Sequence, residues 1–176
     1  MSAAPWLVVI DHQRVFADPA SAWGSPMFAA TVPVVAELAR EHGDRVITTR
    51  WVPAAGPERI GSWVDYFQAW PFADKPADDP LFDLVPSARA LAAPHVLTRP
   101  TFGKWGVELE AITGPGPRIT LVGVSTDCCV ISTALAAADG GASVRVVASG
   151  CAGSTLEAHE NALAVMRLYA PQIEVV

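Results

Sequence analysis

The stretch that decides the fold is Gly123-Val-Ser-Thr-Asp-Cys-Cys-Val130, which joins an apolar run to a segment of small residues. The run before it, 118–123, has the composition of a buried parallel strand. The segment after it, 130–139, is typical of a helix with few bulky side chains. A thiol at such a junction lies near unpaired backbone N–H groups and the positive end of the helix dipole, which favour thiolate over thiol. A cysteine nucleophile is therefore expected here.

Short apolar runs alternate with helical patterns along the chain. Thr31 is predicted to cap one helix that ends before Gly43, and Ser154-Thr-Leu-Glu157 resembles a capping box at the start of another. This alternation predicts a single domain over residues 1–176, a three-layer α/β/α sandwich around a six-stranded, mostly parallel sheet of Rossmann-like type. The predicted strands are Leu7–Ile10, Arg45–Thr49, His95–Thr98, Ile119–Val124, Val144–Ala148 and Ile173–Val176.

The proline-rich segment from Pro53 to Pro86 interrupts this alternation. It is predicted to contain a short helix near residues 59–69, followed by a long excursion. Insertions after the carboxyl end of a strand often cover a pocket. We therefore expect this segment to lie over a binding site.

Composition excludes several classes of protein. The net charge of −6 provides no basic patch for nucleic acid or an anionic membrane. Three cysteines, two of them adjacent, argue against a disulfide framework and favour a reducing compartment. The first apolar run lacks a preceding cationic region, and no apolar stretch approaches the length of a membrane span. These features predict a cytoplasmic protein without a signal peptide.

Three predicted strands end in residues that can do chemistry. Asp11 follows the first strand, where a partly desolvated carboxylate can accept a proton, or can instead cap a turn. Arg99 closes the third, with Lys104 shortly after it, and a cation there can lower the pKa of a thiol. Of Cys128 and Cys129 only one is expected to face a pocket, and a buried cysteine is otherwise inert. An acid, a cation and a thiol at one sheet edge meet the requirements of acyl transfer.

The sequence lacks the signatures of metal and nucleotide sites. Its four histidines show no paired metal-ligand spacing, and Cys128-Cys129 is not a C-x-x-C redox pair. No Gly-x-Gly-x-x-Gly motif follows the first strand, and there is no Walker-type lysine loop. No metal and no cofactor are expected.

These motifs resemble the isochorismatase-like cysteine hydrolases, which include nicotinamidases, N-carbamoylsarcosine amidases and isochorismatases. Asp11-His-Gln-Arg-Val-Phe16 is similar to the family's Asp-x-Gln-x-x-Phe, and Thr49-Arg50 to its Thr-Arg. Gly123–Val130 is similar to its Gly-x-x-Thr-x-x-Cys-Val, and Glu157-Ala-His159 to its closing segment. The order of the motifs makes the resemblance specific over nearly the whole chain.

The resemblance implies a role for each matched residue. It makes Cys129 the nucleophile, because Cys129 stands three residues after Thr126, and Asp11 the base. It also implies a cis peptide bond between Val124 and Ser125, with the backbone N–H groups of Ser125 and Cys129 directed at a developing oxyanion.

Two departures from the family pattern bear on these roles. The triad lysine of the family ends the third strand, where this sequence has Arg99. Arg99 is preferred as the triad cation, and Lys104 is the alternative. The Asp-x-His metal element of nicotinamidases is replaced by Arg50-Trp-Val-Pro53. A zinc ion and a nicotinamide substrate are therefore not expected.

The resulting hypothesis is a metal-independent cysteine hydrolase that cleaves a C–N bond of a small amide or ureido-type substrate through a Cys129 thioester. Phe16, Trp51 and Trp105, with Trp23, are predicted to line the substrate pocket. The alternatives are a relative without hydrolytic activity that acts as a small-molecule binder or scaffold, and an isochorismatase-type vinyl-ether hydrolase. The expected partner is a small-molecule substrate, and the resemblance implies a homo-oligomer.

Overall fold

The computed structural model describes residues 4–176 and contains one open, fully parallel sheet of six strands. The strand order β3-β2-β1-β4-β5-β6 confirms the predicted α/β fold. Each strand covers or overlaps the apolar run that predicted it. The strands are β1 (Trp6–Ile10), β2 (Val46–Trp51), β3 (His95–Arg99), β4 (Arg118–Val124), β5 (Ser143–Ala152) and β6 (Ile173–Val175).

Two helical layers cover the sheet because alternate side chains of its buried strands point to opposite faces. Leu7 and Val9 pack on one face with α2 (Phe28–His42). Val8 and Ile10 pack on the other face, in a larger cluster. That cluster includes residues of α5 (Val107–Thr113), α6 (Ile131–Asp139) and α7 (Leu156–Arg167).

Two helix starts differ from the sequence-based prediction. Helix α2 begins at Phe28, so Thr31 is not its N-cap, and the Thr31 hydroxyl donates instead to the Phe28 carbonyl at 2.8 Å. Gly43 ends this helix with a φ of 56°, as predicted. The predicted capping box starts at Ser154, but the N-cap of α7 is Thr155, whose hydroxyl accepts a hydrogen bond from the Ala158 N–H at 3.0 Å.

The centre of the sheet requires a glycine at the end of β4. Gly123 pairs with Ile10 and has a φ of 123°. A Cβ atom at Gly123 would overlap the Ile10 carbonyl. This close approach brings the residues after β1 and β4 together at the carboxyl edge of the sheet, where open α/β folds bind ligands.

The proline-rich segment packs over this edge, as predicted. It contains α3 (Ser62–Ala69) and three short 3₁₀ turns, and its last residue begins α4 (Pro86–Arg89). Helix α1 (Arg14–Ala17) lies between β1 and α2. Phe67 and Phe82 from the segment pack with Phe16 and Trp51 in a separate aromatic cluster. The excursion therefore closes a hydrophobic space above the strand ends.

None of the helices within residues 4–176 is both long and apolar enough to cross a bilayer.

Candidate active site

Asp11 lies at the centre of the carboxyl edge, directly after β1. Its side chain is 0% exposed, and its backbone has a φ of 48°, which is unusual for a residue with a side chain. The Asp11 N–H donates to Thr49 Oγ1 at 3.1 Å, and the Thr49 hydroxyl donates to Asp11 Oδ1 at 2.6 Å. These two bonds from β2 fix the carboxylate in one orientation, as a catalytic base requires.

The cation beside Asp11 is Lys104. Its Nζ lies 3.0 Å from Asp11 Oδ2, and both side chains are 0% exposed. The ammonium also donates to the Thr101 carbonyl at 2.8 Å. A buried carboxylate is costly unless it is paired, so the contact with Lys104 offsets the cost of burying Asp11.

Arg99, the preferred cation from sequence, does not contact Asp11. Its Nη1 donates to the Trp105 carbonyl at 3.0 Å and lies 3.5 Å from Glu108 at the start of α5. The Arg99 side chain is 23% exposed, so water screens this ion pair. The end of β3 therefore does not place its cation beside Asp11. Lys104, the alternative cation from the sequence, lies there instead.

A chain of hydrogen bonds places the Lys104 loop against the helix that carries the cysteines. The Lys104 N–H donates to Thr133 Oγ1 at 3.0 Å, and the Thr133 hydroxyl donates to the Cys129 carbonyl at 2.7 Å. All three residues are buried. Thr133 thus couples the position of the cation to the position of the thiol, a link that strand-end reasoning does not predict.

Both adjacent cysteines lie at the floor of a cavity. The peptide bond between Val124 and Ser125 is cis, and residues 126–130 form a π-helical turn. Within this turn the N–H groups of Cys128 and Val130 both donate to the Ser125 carbonyl, at 3.0 and 3.1 Å. Cys129 is 2% exposed and Cys128 is partly exposed, and both line the cavity.

The environment holds Cys129 as a neutral thiol at rest. Its hydrogen bond with Cys128, its burial and the nearby Asp11 carboxylate raise the pKa of the Cys129 thiol well above its usual value. The same hydrogen bond lowers the pKa of Cys128, the more exposed of the two sulfurs. Attack by Cys129 therefore requires a base. Among the described residues Asp11 Oδ2 accepts no well-directed hydrogen bond, although Lys104 lies beside it.

The cavity above the cysteines has a volume of about 280 Å³. Phe16 and Trp51 line it, and so does Trp23. Trp105 does not, contrary to prediction, because its ring packs in the core cluster against Gly140. The sequence-based prediction did not name several lining residues, because they lie in loops, in the proline-rich segment or at motif positions that were given no role. They are Ala22, Gly24, Tyr66, Trp70, Asp127 and Ser154, and Phe102 also lines the cavity.

The end of β2 offers no ligand set for a metal. Arg50 donates to the Phe82 carbonyl through Nε and Nη2, at 3.4 and 3.3 Å, and Trp51 packs on Phe67 and Phe82. Within residues 4–176 no three histidine, cysteine or acidic side chains come together as a metal site would require.

The chain belongs to the isochorismatase family. The family's sequence model, described as the isochorismatase domain, matches residues 5–175, which is almost the entire chain. None of the curated proteins compared with this chain matches it.

Solved structures of this family share the fold. An isochorismatase family protein from Desulfovibrio vulgaris superimposes with a TM-score of 0.81 at 23% identity, over 97% of this chain and 92% of that one. N-carbamoylsarcosine amidase from Thermoplasma acidophilum gives 0.75 at 20% identity, over 98% and 95%. Pyrazinamidase from Pyrococcus horikoshii, solved in complex with zinc, gives 0.69 at 25% identity, over 99% of both chains.

Proposed function

We propose that this chain is a metal-independent cysteine hydrolase that cleaves the C–N bond of a small amide or ureido-type substrate. The observation that carries this proposal is the buried Asp11–Lys104 ion pair, whose charges act on the pKa of the Cys129 thiol in the cavity lining. Asp11 supplies the base, Lys104 the stabilising cation and Cys129 the nucleophile that acyl transfer needs. The amidase and cysteine hydrolase among the structural neighbours agree with this reaction class.

Acylation begins when Asp11 takes the proton of the Cys129 thiol. The sulfur attacks the substrate carbonyl, a C–S bond forms, and the carbonyl oxygen becomes negatively charged. The backbone N–H groups of Ser125 and Cys129 stabilise this oxyanion, and the loss of one such donor typically costs about 3–4 kcal/mol of barrier. The C–N bond then breaks, and the leaving nitrogen takes the proton that Asp11 holds.

Deacylation reverses these proton movements. Asp11 takes a proton from a water molecule, whose oxygen attacks the thioester carbonyl. The C–S bond breaks, the acid product leaves, and the proton returns to Cys129. The Lys104 ammonium stabilises the charge of Asp11 whenever the carboxylate is ionised.

The position of Lys104 favours an enzyme over a binding protein. The principal reason to expect a relative without activity was an arginine in place of the triad lysine. Lys104 fills the position beside Asp11 that such a cation needs. A vinyl-ether hydrolase would not need a thiol, whereas the Asp11 carboxylate is near enough to raise the pKa of the Cys129 thiol.

The test is hydrolysis of a panel of small amides and ureido compounds by the wild type, Cys129→Ala and Cys128→Ala. We expect Cys129→Ala to abolish turnover of any accepted substrate and Cys128→Ala to retain it. Asp11→Asn should lower the rate by about 10²–10⁴-fold, the usual contribution of a general base. Near-normal turnover by both Cys129→Ala and Asp11→Asn would refute the proposal.

A further inference from the structure

The cavity above Cys129 has an unequal distribution of charge. Among the described residues its lining includes the Asp127 carboxylate and no lysine, arginine or histidine. Two cations of the surrounding segments are paired elsewhere: Lys104 is buried against Asp11, and Arg59 pairs with Asp74 outside the cavity. The recess therefore carries a negative charge that no lining side chain neutralises.

Asp127 is held in place by the loop after β5. The Ser154 N–H donates to Asp127 Oδ1 at 2.8 Å, and the Ser154 hydroxyl donates to Oδ2 at 2.7 Å. Each carboxylate oxygen has further lone-pair capacity, so both can still attract a ligand. Asp127 is thus an oriented anion at the wall of the cavity, one residue before the cysteines.

The remaining walls are mostly aromatic. Trp23 occupies a central position, with ring centroids 5.4 Å from Trp51, 5.9 Å from Tyr66 and 5.7 Å from Trp70. A positive charge within about 6 Å of such ring faces is attracted by their quadrupoles, and tryptophan is the most effective ring. The aromatic side chains in the lining are Phe16, Trp23, Trp51, Tyr66, Trp70 and Phe102.

We propose that the part of the substrate that does not react carries a positive charge, in the form of an alkyl-substituted ammonium group. The aromatic walls contact the alkyl groups, and Asp127 balances the charge. This inference rests on the hydrolase function proposed above and narrows its substrate class. A substrate carboxylate would meet Asp127 without a lining cation to pair with it. The volume of about 280 Å³ limits the ligand to a small molecule.

Binding alone tests the inference, with no need for turnover. The probes are choline, the neutral alcohol in which carbon replaces its nitrogen, and the carboxylate with the same branched skeleton. Trp23, Trp51 and Trp70 line the cavity, so quenching of tryptophan fluorescence reports occupancy. We expect choline to bind about tenfold more tightly than the neutral alcohol, and the carboxylate to bind most weakly.

Two variants locate the effect. Asp127→Asn keeps the side-chain shape and should weaken choline about fivefold, while the affinity for the neutral alcohol changes less than about twofold. Trp70→Leu should also weaken choline. Asp139→Asn is the matched control, because it removes the same charge at the exposed end of α6, outside the cavity. This control should bind choline like the wild type.

Equal affinities for choline and the neutral alcohol, tighter binding of the carboxylate, or no binding of choline up to about 50 mM would each overturn the inference. So would an Asp127→Asn variant with unchanged choline affinity. These results are distinct from failure of the proposed function. Choline preference without hydrolysis of any amide would support a cation-binding cavity and count against the hydrolase, whereas turnover of amides without choline preference would support the hydrolase and overturn the inference.

Discussion

Replacing the buried lysine should cost far more stability than replacing the arginine that ends β3. Lys104→Met leaves the Asp11 carboxylate buried without its cation. Breaking a buried pair in this way typically costs about 3–5 kcal/mol. Arg99→Met removes a partly exposed pair with Glu108 at 3.5 Å, which is worth about 0–1 kcal/mol. The free energies of unfolding, measured by urea titration at pH 7, should differ by at least about 2 kcal/mol.

A double-mutant cycle with Asp11→Asn makes this prediction specific to the ion pair. Each single variant leaves one charge unpaired, whereas the double variant removes both charges. We therefore expect the double variant to be destabilised by about 2 kcal/mol less than the sum of the single variants. If Lys104→Met alone does not fold, the double variant and Asp11→Asn remain measurable. Additive effects, or an Arg99→Met variant as unstable as Lys104→Met, would refute the assignment of Lys104 as the partner of Asp11.

Three further predictions follow from single contacts. Burial lowers the pKa of His12 from 6.5 to about 4. The contribution of His12 to the free energy of unfolding is therefore fully present above pH 6.5 and is lost as the pH falls towards 4. Between pH 7 and pH 5 the free energy of unfolding should fall by about 2 kcal/mol more in the wild type than in His12→Gln, and equal decreases would contradict this. Thr49→Val removes the hydroxyl that orients Asp11 and should lower kcat about tenfold or more with little change in KM, whereas a change in KM alone would indicate a binding role. Gly123→Ala should destabilise the fold by about 3 kcal/mol or prevent folding, while Gly56→Ala, which meets no neighbouring atom, should unfold within about 0.5 kcal/mol of the wild type.

The strands were predictable because their β-branched and apolar runs are covered on both faces by helices. The rule that ligands bind at the carboxyl edge of an open parallel sheet then predicted, from the sequence alone, that Asp11 and the cysteines lie at this edge. Both positions are fixed by backbone pairing, since Ile10 pairs with Gly123. The positions of residues that follow paired strands can therefore be predicted from the sequence.

Loop residues were not predictable by the same rule. Lys104 reaches Asp11 only because its loop is tied to α6 through Thr133, a contact with no periodic signature in the sequence. The same rule gave the cation role to Arg99, whose side chain turns towards α5 instead. Trp105 neighbours Lys104 in the chain but packs into the core. Tyr66 and Trp70 in the cavity wall likewise depend on how an irregular excursion folds over the sheet.

The most direct test of the central claim is the location of the covalent intermediate. The protein is mixed with the amide panel, quenched with acid, and examined by intact-mass spectrometry and peptide mapping. The account predicts an acyl adduct on Cys129 that persists in Cys128→Ala and is absent from Cys129→Ala. An adduct on Cys128, or turnover by Cys129→Ala, would contradict it.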